Sequence, residues 1–137
     1  MYFSPLSYVD ADVVIICYSI SNPDSLGNVL ERWLPEVRHF CASCPIILAG
    51  NKVDLRPRVT SAGNTTGDDV TVTSRSSRSK YVSTEEGEKV AEQIGASRFI
   101  ECSAKTHHGV RDVFLSAASA AINVRRHQFK HNNCAIL

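Results

Sequence analysis

Net charge is almost absent from this sequence. Its 137 residues carry 15 basic and 14 acidic side chains, a balance of +1 with the histidines neutral. Such a chain has no overall field to draw it to nucleic acid or to an acidic substrate, so any basic surface must be local. Long apolar runs are missing too: the longest, residues 13–18 (VVIICY), falls far below the roughly 20 residues that span a bilayer. The opening residues, MYFSPLSY, have neither the basic head nor the long apolar centre of a secretory signal. Cysteine is sparse and odd in number, with five residues at positions 17, 41, 44, 102 and 134. An odd set with no secretory signal predicts reduced thiols. These absences leave a soluble cytosolic domain as the expectation.

The 43% of hydrophobic residues against 21% charged suits a folded domain rather than a disordered chain. Two stretches read as outside its core. Residues 57–80 are rich in Ser, Thr, Gly and Arg with almost no apolar period, which predicts a mobile surface insertion. A basic phosphorylation cluster at Ser74 to Ser79 is the functional reading of that stretch; a solvated loop is the commoner origin of such composition. Residues 125–137 read as a tail, so the expected organisation is a domain over 1–124 and a basic tail over 125–137.

Three apolar segments alternate with three helical patterns. Residues 13–18 form a continuous β-branched run, as in a strand buried on both faces. Asn22 or Ser21 can cap the helix that follows, with Pro23 in its first turn and Asp24 at the positive end of its dipole. Leu26, Val29, Leu30, Trp33 and Val37 then share one face, and Pro35 predicts an end or a kink near Leu34. Residues 45–50 (PIILAG) read as a second buried strand, and 99–102 (FIEC) as a shorter third. Between them Ser83 and Glu86 spell a capping box, Val90, Ala91 and Ile94 an apolar face, and Gly95 a left-handed stop. Val110, Val113, Phe114, Ala117, Ala118 and Ala121 make the most regular stripe. Strands alternating with helices imply right-handed crossovers and a parallel sheet, hence an α/β fold with two helices on one face and the last on the other.

In such a sheet ligands bind beyond the carboxyl ends of the strands, where Asn51-Lys52-Val53-Asp54 directly follows the second. An aspartate there can accept two hydrogen bonds from adjacent ring and exocyclic nitrogens of guanine, a donor pair that adenine does not offer. Lys52 can lay its methylene stem along the base, and Asn51 can tie neighbouring loops. Alone the tetrapeptide is a weak signal. Ser103-Ala104-Lys105 ends the third strand at the same side, and the Ala104 amide can donate to a base carbonyl. Of the other candidates, Cys41-Ala42-Ser43-Cys44 has no second ligand pair for zinc and reads as ordinary thiols, and His107 and His108 read as a polar loop.

Together NKVD and ECSAK resemble the base-recognition elements of Ras-superfamily small GTPases. The flanking text, PLSYVDADVVIICYSISNPDSLGNVLERWLPEV and STEEGEKVAEQIGASRFIECSAKTHHGVRDVF, is similar to the Rho branch, as is an insertion after NKVDL. The resemblance implies part of the P-loop NTPase fold, the C-terminal half of a Ras-like G domain with three parallel strands and three helices. It makes Asp54 the guanine reader, Lys52 the stacking stem and Asn51 the loop tether, with Ser103, Ala104 and Lys105 as a second clamp on the base. Pro5 to Tyr8 match the end of the family's second switch. The implied activity is that of a GTP-binding switch in signal transduction, with GTP or GDP as ligand. Effectors, exchange factors and GTPase-activating proteins are the implied partners, and nucleic acid is not.

The phosphate-binding string G-x-x-x-x-G-K-[ST] does not occur in these residues. Nor do the magnesium-ligating threonine of the first switch, the D-x-x-G segment ahead of the second, or the water-orienting glutamine. Magnesium is therefore expected for the family but its ligands are not found here, no catalytic residue is assigned, and GTP hydrolysis by this chain is not expected. The other reading is a non-catalytic, prenylated interaction module. Cys134-Ala135-Ile136-Leu137 fits the C-a-a-X box with a leucine that favours geranylgeranylation of Cys134, and Arg125, Arg126 and Lys130 add a modest basic signal toward anionic lipid. Localisation in the cytoplasm and at the cytoplasmic face of membranes, such as the plasma membrane, follows as an expectation.

Overall fold

The computed structural model describes residues 8–57 and 80–132. Most of the expected insertion, the residues Pro5, Leu6 and Ser7 of the switch match, and Cys134 lie outside the described residues.

Three strands form one parallel sheet in the order β1 (Val14–Ser19), β2 (Ile46–Asn51), β3 (Arg98–Cys102). The unbroken apolar text of β2 has its predicted consequence: residues 46–50 are all buried, with Ile47 and Leu48 fully so. Each of those side chains contributes on the order of 1.5–3 kcal/mol by leaving water. One face of the sheet carries the larger core, in which Ile16, Tyr18, Ile46 and Leu48 meet Leu26, Val29 and Val37 from the first helical rod and Val90, Ala91 and Ile94 from the next helix. The opposite face is smaller, with Ala49 and Cys102 under Val113 of the last helix. Two helices on one side and one on the other is the arrangement the crossover argument predicts.

The first rod runs from α1 (Pro23–Asn28) through a π-helical turn (Val29–Trp33) into α2 (Leu34–Phe40) without a break at Pro35. The expected end or kink near Leu34 is thus replaced by a change of hydrogen-bond pitch. In the π turn the Leu34 amide reaches back to Val29 O, five residues away, and the widened turn receives the proline, which has no N–H to offer. Tyr8 packs on this rod, stacking on Phe40 at 5.5 Å and donating to Glu36 Oε1 at 2.9 Å. Burial and the Glu36 carboxylate push its phenol up to about 12.

At the end of α2, Cys41 and Cys44 lie side by side, their Cα atoms 5.4 Å apart. The turn that closes here, with the Cys44 amide on Cys41 O at 3.1 Å, brings the two together, and Cys44 Sγ donates to Ala11 O at 3.1 Å. Cys17 is exposed and Cys102 buried.

Helix α3 (Thr84–Ile94) starts on the capping box read from the sequence. Ser83 Oγ accepts from the Glu86 amide at 3.2 Å and Glu86 Oε2 from the Ser83 amide at 2.8 Å, a cap worth about 1 kcal/mol. Gly95 ends the helix at φ +65°. Gly87 sits where α3 crosses the sheet, directly against Tyr18 and Phe99, whose rings stack at 6.5 Å. Tyr18 is buried, and its hydroxyl has no hydrogen-bond partner among the described residues. Burial, followed by the negative charge of Glu101, raises its pKa well above the ordinary phenol value. A buried hydroxyl without a partner costs about 1–3 kcal/mol, so Tyr18→Phe is expected to raise stability by about 1 kcal/mol. A urea titration checks this; a fall in the midpoint would show that the hydroxyl is paired in solution.

Helix α4 (Val110–Asn132) buries a narrower stripe than the sequence predicts. Val113 and Ala117 are buried, whereas Phe114 is 64% exposed and Ala118 is exposed as well. The three-stranded sheet is too narrow to reach the row of α4 that carries Phe114. The helix also runs past residue 124 and carries Arg125. Its guanidinium grips Asp12 with two bonds, 2.8 Å from Nε and 2.6 Å from Nη2.

Candidate functional site

The parallel register places Ser19, Asn51 and Cys102 in one row at the carboxyl ends of the strands. Both motifs therefore leave the sheet side by side, as the α/β rule requires. Asn51 Oδ1 accepts a bond from Cys102 Sγ at 3.0 Å, which ties the end of β2 to the end of β3. The Asn51 side chain thus braces the end of β2 against the end of β3.

After Asn51 the chain turns through Lys52 in the left-handed conformation, φ 68° and ψ 37°, into a short 3₁₀ turn (Val53–Leu55). A non-glycine residue held there costs on the order of 1–3 kcal/mol, a strain that clusters at ligand sites. The turn is closed by the Leu55 amide on Lys52 O at 3.0 Å, and it leaves Lys52 and Asp54 exposed on the outer side of the loop.

The second loop is built around Ser103, a fully buried polar residue. Its amide donates to His108 O at 2.9 Å, its Oγ accepts from the Thr106 amide at 3.2 Å, and the hydroxyl donates to Asp54 Oδ1 at 2.5 Å. Ala104 and Lys105 follow on the exposed rim. The loop closes sharply at His107, φ 61°, and Gly109, φ 68°, where a Cβ on Gly109 would collide with the Glu101 carbonyl. Ser103 thus fixes the Asp54 carboxylate by one oxygen, and among the described residues no hydrogen bond engages the other. A cavity of about 960 Å³ opens beside it, bounded by Val53, Asp54, Arg56, Lys105 and Thr106. His107 and His108 also line it, so they are a polar loop, as read, but one that borders the site.

The structure brings together Asn51, Asp54, Ser103 and the loop carrying Ala104 and Lys105. It also shows a feature that spacing did not reveal. Arg56, which also borders the cavity, holds Glu101 by an ion pair at 2.5 Å. The available signal was a lone carboxylate inside the apolar group FIEC, since a charge in a strand that joins a core requires a partner.

The Ras family profile matches residues 2–123. This chain belongs to the Ras family. Over 134 residues it is 46% identical to the GTP-binding protein RHO1 of Candida albicans, an overlap that takes in 97% of this chain. The Rho resemblance of the flanking segments is thereby supported. The same overlap covers 63% of that protein, so this Ras-family chain spans less than two thirds of the length of the relative it matches. The α/β architecture of three parallel strands and three helical units agrees with the family.

Proposed function

We propose that this Ras-family chain reads the guanine base of a guanine nucleotide, and that it serves the GTP-binding switch function of a Rho-type small GTPase. The observation that carries the reading is the Ser103 to Asp54 bond, which joins two strand-end loops and holds Asp54, beside a cavity that it lines, by one carboxylate oxygen. Asp54 accepts from the base, the Lys52 stem lies along it, and Asn51 holds the strand ends. Ser103, Ala104 and Lys105 form the second clamp. Each charge-assisted bond to the base is worth about 1.5–3 kcal/mol.

The given sequence contains no G-x-x-x-x-G-K-[ST] string, so the proposal assigns these residues to the base and names no phosphate or magnesium ligand among them. Titration with a fluorescent guanine nucleotide tests the proposal. Weak, saturable binding that is insensitive to magnesium and displaced by guanosine is expected, without phosphate release. Tight magnesium-dependent binding, or displacement by adenosine as well as by guanosine, would overturn it.

Membrane attachment through Cys134 is the second part of the proposal, supported by the C-a-a-X fit and by Arg126 and Lys130 near it in sequence. One lipid chain holds a protein only reversibly, so the basic residues supply a second weak signal. Because Arg125 is already committed to Asp12, that signal is smaller than the sequence count implies. In a geranylgeranyl transfer assay the wild-type chain is expected to take up label and Cys134→Ser none. Equal labelling of the two would remove this part of the proposal.

A further inference from the structure

Arg56 stands where three segments meet. Its Nη1 donates to Glu101 Oε2 at 2.9 Å and to Thr84 Oγ1 at 3.1 Å; its Nη2 donates to Val82 O at 2.9 Å and to Glu101 Oε1 at 2.5 Å. Thr84 Oγ1 donates in turn to Glu101 Oε2 at 3.1 Å. Side-chain exposure is 26% for Arg56 and 16% for Glu101, so water competes only in part for these bonds. Arg56 closes the turn that carries Asp54, through its amide on Val53 O at 3.1 Å, and Glu101 lies two residues before Ser103. The two loops are therefore joined twice, by Ser103 to Asp54 and by Arg56 to Glu101.

The two joints differ in stiffness. A single hydroxyl bond can rotate, whereas two parallel N–H bonds from a planar guanidinium onto a carboxylate fix distance and orientation together. A hydrogen bond from Ser103 to Asp54 also fades once its atoms separate much beyond about 3.2 Å.

We infer that Arg56 is a positioning residue, whose two-pronged grip on Glu101 sets the spacing between the loop bearing Asp54 and the loop bearing Ser103. Thr84 and the Val82 carbonyl anchor that grip to the start of α3. The consequence for base selectivity rests on the guanine reading proposed above; the coupling of the loops does not.

Hydrogen exchange on the full chain separates the two. In Arg56→Lys the charge stays but the fork is lost. The Ser103 and Thr106 amides are expected to exchange about tenfold or more faster, while the Leu48 amide in the middle of β2 stays within about twofold of wild type. Glu101→Gln, which preserves shape, is expected to act in the same direction and serves if the lysine variant does not fold. Unchanged exchange at Ser103 and Thr106, or equal acceleration at all three amides, would overturn the inference. On the same proteins, the ratio of guanosine to inosine affinity reads the consequence, because inosine lacks the exocyclic amine that Asp54 is proposed to read. The wild type is expected to prefer guanosine, and Arg56→Lys to move the ratio toward one. A lysine variant with faster loop exchange but the wild-type ratio would overturn the consequence for selectivity. A wild type indifferent to the two nucleosides would overturn the guanine reading, while the exchange rates still decide the role of Arg56.

Discussion

Gly87→Val is expected to lower the unfolding free energy by about 3 kcal/mol or more, enough to leave much of the protein unfolded at room temperature. The added Cβ would lie 2.5 Å from Phe99 Cζ and closer still to the Tyr18 hydroxyl. Both rings must shift to admit it, although they stack on each other and Tyr18 is itself buried under α3. A domain of about 100 residues has roughly 5–15 kcal/mol in total, and this one has a small second core, so the lower end applies. Gly27→Ala supplies the contrast within the same fold. That glycine is helical, and a Cβ there meets nothing within 4 Å, so alanine is expected to stabilise by about 0.4–1 kcal/mol. Urea midpoints for the two variants, read at constant slope, check both signs. A tolerated valine at position 87 would mean that α3 does not sit this close to the sheet.

Asp54→Asn is expected to abolish the preference for guanosine while leaving the fold intact. The asparagine oxygen can still accept from Ser103, so the buried hydroxyl keeps its partner and stability changes by less than about 1 kcal/mol. Toward the base, however, the second oxygen has become an NH₂ group, a donor facing donors. Losing one charge-assisted bond of about 1.5–3 kcal/mol corresponds to roughly a 10- to 100-fold weaker complex. Asp54→Ala is the less informative variant. It removes the acceptor from Ser103 as well and mixes a folding cost with a binding one. Guanosine and adenosine affinities for the wild type and Asp54→Asn, together with their melting temperatures, test this. A variant that still prefers guanosine would remove Asp54 from its proposed role.

Local patterns in the sequence carried much of this fold because their causes are local. The apolar run of β2, the Ser83 and Glu86 capping box and the left-handed Gly95 each depend on residues within a few positions of one another. The placement of Asn51 and Ser103 at neighbouring strand ends also followed, since alternating strands and helices dictate a parallel sheet. What spacing did not disclose has a different physical origin. Arg56 and Glu101 are 45 residues apart, and their meeting depends on the register of β2 against β3. Pro35 escapes its usual effect through a π turn that begins six residues earlier. Phe114 matches the helical period of its neighbours, yet a stripe in sequence says nothing of how wide a surface awaits it.

The most direct test of the account is an NMR titration of the full chain with guanosine and, separately, with adenosine. Saturable shifts of the Asp54, Ser103, Ala104 and Lys105 amides with guanosine, and none there with adenosine, are the predicted result. Shifts of equal size with both nucleosides, or none with either, would contradict a guanine-reading site built from these two loops.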